Sequence, residues 1–272
     1  MKTEGTTCMA LVVALVLAPP VLADWNPGDP AQWVQSPDLS WCGMDVHDAV
    51  GIALADDFSS TSSDPITSIH IWGSWKDDLW PYDPVRDGNF ADRAAFQVRF
   101  YSDLPAAGPD DFSKPGTLLF IQTFYYGEFT VRSYAEGLEE GWYDPQTDQY
   151  TALADTQCLE YNIPLPTGPL GFTPQGTPEN PVTYWLYIDV TVGDEVAAYG
   201  WKTRNIFENQ WGANALWGDY SYGGDTVWHE LYYPLGHHSA GGDVDLAFAL
   251  VPEPATLSLL ALGGLAVLRR RK

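Results

Sequence analysis

The chain has 272 residues, with 13 Lys or Arg against 36 Asp or Glu and a formal net charge of −23 at pH 7. That balance excludes nucleic acid and anionic lipid as partners, because both require a basic surface. The 12 Trp, 15 Tyr and 11 Phe exclude a disordered polyanion, and the length suits one large β-domain or two small ones.

At the N-terminal end, Lys2 precedes an apolar run at residues 9–18, followed by Pro19, Pro20, Val21, Leu22 and Ala23. A run this short reads as a signal peptide over residues 1–23, since a spanning helix needs roughly 20 apolar residues. Cleavage is expected between Ala23 and Asp24, with the Sec translocon and signal peptidase as partners. Export leaves Cys42 and Cys158 in an oxidising compartment, where a sparse, even pair is expected to bridge. Two buried thiols are the alternative.

Between the ends the pattern is all-β. Residues 66–72, 96–101, 117–124, 129–134, 159–163, 183–190, 196–202, 226–232 and 244–250 read as strands. The clearest is 96–101, where Phe96, Val98 and Phe100 alternate with Gln97, Arg99 and Tyr101. Short helices are expected at 135–140 and 209–216. Many strands without crossover helices imply antiparallel pairing, so the expected fold is an antiparallel β-sandwich of jelly-roll type. One domain over residues 24–250 is expected, with the Pro- and Gly-rich stretch 164–181 as a loop within it.

No catalytic residue is legible. The chain has no Gly-x-Ser-x-Gly, no phosphate-binding glycine loop and no Cys/His zinc spacing. Trp72, Trp75 and Trp80 form a candidate glycan platform, because the C–H face of a sugar stacks on an indole; core packing is the commoner fate of Trp. Acid pairs at Asp56-Asp57, Asp77-Asp78, Asp110-Asp111 and Glu139-Glu140 offer the two carboxyls a glycoside hydrolase needs, but solvated loop faces explain most such pairs. Asp243 and Asp245, two apart beside His237 and His238, are the best local metal candidates, with Ca²⁺ the cation they suit. No other cofactor is expected.

The chain closes with Pro252-Glu253-Pro254, an apolar stretch at 255–268, and Arg269, Arg270, Arg271 and Lys272. As a helix the stretch covers about 21 Å, short of a ~30 Å hydrocarbon core unless its flanks snorkel, and the basic cluster would stay cytoplasmic. These three features in order resemble the PEP-CTERM tail of exported bacterial proteins. The resemblance implies recognition by an exosortase-type peptidase, a short transmembrane helix at 251–272, and exopolysaccharide as a companion. Removing both ends takes away five basic residues and only two acidic ones, Glu4 and Glu253. The body is therefore more acidic than the whole.

Ala55-Asp56-Asp57-Phe58 and Pro65-Ile66-Thr67-Ser68-Ile69-His70-Ile71-Trp72-Gly73-Ser74-Trp75-Lys76 resemble an uncharacterised family of secreted bacterial proteins that often end in such tails. Gly200-Trp201-Lys202-Thr203 and Asp245-Leu246-Ala247-Phe248 support the likeness, which implies a β-sandwich and an exported habit and supplies no functional residue. The expected function is that of a cell-surface or extracellular-matrix β-sandwich without a catalytic site, with glycan binding as its candidate activity. The alternatives are a polysaccharide-active enzyme using a carboxylate pair, and a calcium-dependent adhesive or structural module.

Overall fold

The computed structural model describes residues 24–48, 51–193, 196–207, 212–220 and 226–252. The signal segment with Ala23, and the tail residues Glu253, Pro254, Arg269, Arg270 and Arg271, lie outside the described residues. The strands, in chain order, are β1 (Trp33–Gln35), β2 (Met44–Asp48), β3 (Ile52–Ser60), β4 (Ile66–Trp75), β5 (Tyr82–Asp83), β6 (Gly88–Asn89), β7 (Ala94–Leu104), β8 (Lys114–Phe124), β9 (Thr130–Asp144), β10 (Gln149–Pro164), β11 (Val182–Val192), β12 (Tyr199–Lys202), β13 (Leu216–Asp219), β14 (Val227–Glu230) and β15 (Phe248–Pro252). Each of the nine strands expected from the sequence overlaps an observed one, although only 199–202 of the expected 196–202 and 248–250 of the expected 244–250 are strand.

Two sheets face each other. One has the order β1-β15-β4-β10-β9-β2-β12 and the other β14-β13-β3-β11-β7-β8. Alternation explains the layering: Ile69 and Ile71 of β4, Phe96, Val98 and Phe100 of β7, and Leu186 and Ile188 of β11 meet in a shared apolar core. Phe172, from the Pro- and Gly-rich loop, stacks on Phe100 with ring centroids 4.1 Å apart, so that loop is part of the core wall. Each such fully buried side chain contributes roughly 1.5–3 kcal/mol relative to exposure.

The first sheet departs from a plain sandwich. β12, at the end of its order, also pairs with β4 through Tyr199–Trp75, Gly200–Ser74 and Trp201–Gly73. That pairing closes β4, β10, β9, β2 and β12 into a five-stranded ring. Two glycines make the closure sterically feasible. A Cβ on Gly73 would lie 2.3 Å from the Gly200 carbonyl oxygen, and one on Gly200 would lie 2.8 Å from Asp45 Cβ and from the Trp142 ring. One contact in the ring, β2 with β9, is parallel rather than antiparallel.

Residues 135–140 are not helical; they form the middle of β9. Their Ala, Leu and Glu content favours helix locally, but pairing with β10 prevails, with register shifts around Gln157 and a positive φ of 70° at Gly137. In the second expected helix, residues 209–211 lie outside the described residues and Leu216 begins β13. Among the described residues no helix is long and apolar enough to cross a membrane.

Candidate functional site

The interior of the ring is polar. Side chains on β4 alternate, with Ile71 and Trp75 toward the apolar core and Trp72 and Ser74 toward the ring. The same alternation brings Asp45 from β2, Glu140 and Trp142 from β9, Cys158 from β10 and Lys202 from β12 inward. Asp155 joins them where bulges interrupt the β9–β10 pairing. Asp45 is the register partner of Lys202, and Glu140 that of Asp155. All four charged residues are buried, Lys202 completely.

Lys202 Nζ donates to Asp45 Oδ2 at 2.5 Å and also contacts the Glu140 carboxyl. Neither Asp155 oxygen, nor Asp45 Oδ1, accepts from any N–H or O–H donor placed by the fold. Three carboxyls thus lie close to one ammonium in a buried interior, and burial pushes them all up. Asp45 rises despite Lys202, Glu140 rises to about 7 and Asp155 to about 9. Burial pulls Lys202 down, but Asp45 and Glu140 outweigh it and hold the ammonium above its ordinary value. Glu140 and Asp155 face one another across the β9–β10 register. Among the described residues, Asp45, Glu140 and Asp155 are the one set of three acids close enough to share a cation, and Lys202 contacts two of them, Asp45 and Glu140.

Chemically, the cluster can exchange protons and bring an amine against a carboxyl carbon. The cluster is closed off from the surface.

A second network lies further along the same face of β4 and β10, where His70 and Glu160 follow Trp72 and Cys158 in the alternation. Glu160 Oε1 is 2.8 Å from His70 Nδ1, while its other oxygen accepts from Arg132 Nε at 2.8 Å, and Ser68 Oγ is 3.3 Å from His70 Nε2. The Ser–His–Glu order is that of a hydrolase relay. Here, however, Arg132 ties Glu160 to the N-terminal segment, donating to the Trp25 carbonyl at 2.7 Å. The network fastens residues 24–26 over Trp72, whose ring meets Trp25 edge-on at 5.8 Å.

Several expected sites are corrected by this geometry. Trp72 and Trp75 are buried, Trp75 donating from its indole N–H to Tyr161 Oη at 2.9 Å, because both faces of β4 are covered. They form no platform with Trp80, which is half-buried at a shallow cleft with Phe90, Asp92, Arg132 and Glu136. Cys42 and Cys158 are free, buried thiols and do not bridge. Cys158 packs with Trp72 and Ala247, whereas Cys42 sits before β2, its carbonyl 3.1 Å from His237 Nε2. Burial pushes the Cys158 thiol well up. Asp245 pairs with Arg204 at 2.9 Å and Asp243 accepts from Asn214 at 3.3 Å. His238 lies against exposed Trp41.

The acid pairs are mostly structural. Asp56 accepts from the Leu246 N–H at 2.7 Å and Asp57 from that of Ala213 at 2.9 Å, which stitches β3 to distant loops. Asp78 accepts from Thr156 N–H and Oγ.

Sequence reasoning overlooked Asp45, Asp155 and Lys202 and took Glu140 for a solvated acid. The available signal was Lys202 itself, one of few basic residues in the body, set between Trp201 and Thr203 in a strand otherwise fit for burial.

Residues 250–272 match the PEP-CTERM protein-sorting motif. The chain is accordingly an exported, cell-envelope-associated protein sorted by an exosortase-type system. No curated protein and no solved structure matches it. The body, from residue 31 to residue 251, matches the family described as "Domain of unknown function (DUF7901)", so every strand of both sheets falls within the match but for Pro252 at the end of β15, and the chain belongs to that family.

Proposed function

We propose that the protein is a non-catalytic structural component of the cell surface or extracellular matrix: one sandwich domain over residues 24–250, delivered by removal of its signal peptide and by its sorting tail. The observation that carries this reading is the placement of the sorting motif. It begins at residue 250 inside β15, which lies between β1 and β4 in the first sheet and reaches Pro252 with no intervening linker. A body joined so closely to its sorting tail is held at the envelope until that tail is cut.

The test is fractionation of cells making the whole chain or a chain truncated after Pro252. The whole chain should be retained in the envelope and the truncated one released in soluble form. Equal distribution of the two would refute the reading.

Glycan contact remains a second reading because Trp80 stands at the cleft edge with Asp92, Arg132 and Glu136. Indole stacking beside charged groups suits a polysaccharide. Binding to exopolysaccharide that is abolished in Trp80→Ala would support it, and binding unaffected by that change would refute it.

A further inference from the structure

We propose that Lys202 and Asp45 are joined by an amide bond, Nζ to Cγ, which forms spontaneously once the ring has folded and locks β12 to β2. The proposal goes beyond the structural role above and does not depend on it. Three features carry it. The lysine amine is fully buried and lies 2.5 Å from a carboxyl oxygen of its cross-strand partner. A second carboxyl, Glu140, contacts the same amine, so an acid–base group touches the reacting atoms. A third, Asp155, is buried beside Glu140 and has no other partner, so it can hold Glu140 through a shared proton.

The step balances without oxidant or cofactor. Lys202 passes one ammonium proton to the Glu140 carboxylate and becomes a neutral amine. Its lone pair adds to Cγ of the protonated Asp45 carboxyl, forming the C–N bond. Glu140 relays a second amine proton to an oxygen on that carbon. The C–O bond breaks, one oxygen leaves as water, and the amide keeps a single N–H. The ion pair is consumed, Glu140 ends protonated, and one water is released.

Two physical effects favour the reaction. Burial raises the Asp45 carboxyl above its ordinary range and so favours its protonated form, and a protonated carboxyl is a far better electrophile than a carboxylate. Fixing amine and carboxyl in contact supplies an effective concentration on the order of 10⁵–10⁸ M for the attack, which lowers its barrier. The product is also less costly to bury, since a neutral amide replaces two ions whose desolvation costs several kcal/mol each.

The experiment is intact-mass measurement of the full chain recovered from the cell envelope and fully denatured, followed by tandem mass spectrometry of its peptides. The expected result is a mass lighter by one water than the processed sequence, with a branched peptide joining Asp45 to Lys202. Lys202→Met should restore the full mass whether or not it folds well. Glu140→Gln, which keeps size and burial, should remain largely unjoined. A full-mass wild type would overturn the proposal, as would a deficit that persists in Lys202→Met or a branch that maps elsewhere. A Glu140→Gln protein joined as completely as wild type would overturn the relay.

Discussion

Gly73→Ala tests the closure of the ring. A methyl at Gly73 would meet the Gly200 carbonyl oxygen at 2.3 Å and Tyr199 Oη at 2.4 Å. Even weak C–H···O contacts need about 3.3 Å, so β4 and β12 must part by roughly 1 Å. The first of these neighbours is backbone, so no side-chain rotation can absorb the change. Overpacking costs about 1–3 kcal/mol, and weakening the β4–β12 ladder adds about 1 kcal/mol for each hydrogen bond lost. A total near 4 kcal/mol lowers Tm by roughly 8–15 °C in a domain of this size. The assay is thermal unfolding followed by circular dichroism, paired with a urea titration. Gly108→Ala is the control, since a Cβ there meets nothing within 4 Å. A Gly73→Ala protein melting within about 2 °C of wild type, on that scale, would refute the closed ring.

Asp57, Glu140 and Asp155 all have folded values raised by burial, to about 7, 7 and 9. The stability these groups contribute is complete below the ordinary carboxylate range and is lost as pH rises through those values. The urea midpoint should therefore fall between pH 7 and 9, and Asp155→Asn should flatten the slope; a midpoint that rises over this interval would contradict the buried acids. Arg132→Met leaves Glu160 buried with only His70, and should cost about 2–3 kcal/mol after allowance for the partial exposure of Arg132. Much of that loss should return in the double variant with Glu160→Leu, as read from denaturant unfolding; additive losses would disprove the coupling. Cys42 and Cys158 should resist a thiol reagent in the folded protein and both react after unfolding without any reductant. Failure to react until a reductant is added would restore the disulfide.

The strands that alternate cleanly were readable because one covered face leaves a period of two, as in Phe96, Val98 and Phe100. β3 was not, because Asp56 and Asp57 interrupt the apolar sequence of Ile52–Ser60. Their partners, Leu246 and Ala213, are more than 150 residues away in the chain. Trp72 and Trp75 misled for a related reason: β4 is covered on both sides, by the core and by the N-terminal segment, so indoles on either face are buried. The site itself depends on registers that join residue 45 to 202 and residue 74 to 200. No local pattern encodes those registers. Glu139-Glu140 looked like a solvated pair, and only the pleat of β9 separates an exposed Glu139 from a buried Glu140.

The most direct test of the whole account is the intact mass of the chain isolated from the envelope of a cell that sorts it. The account predicts a chain that begins at Asp24, lacks Arg269, Arg270 and Arg271, and is one water lighter than that sequence requires. A chain that keeps its basic tail and has the full mass of its sequence would contradict both the processing and the lock inside the ring.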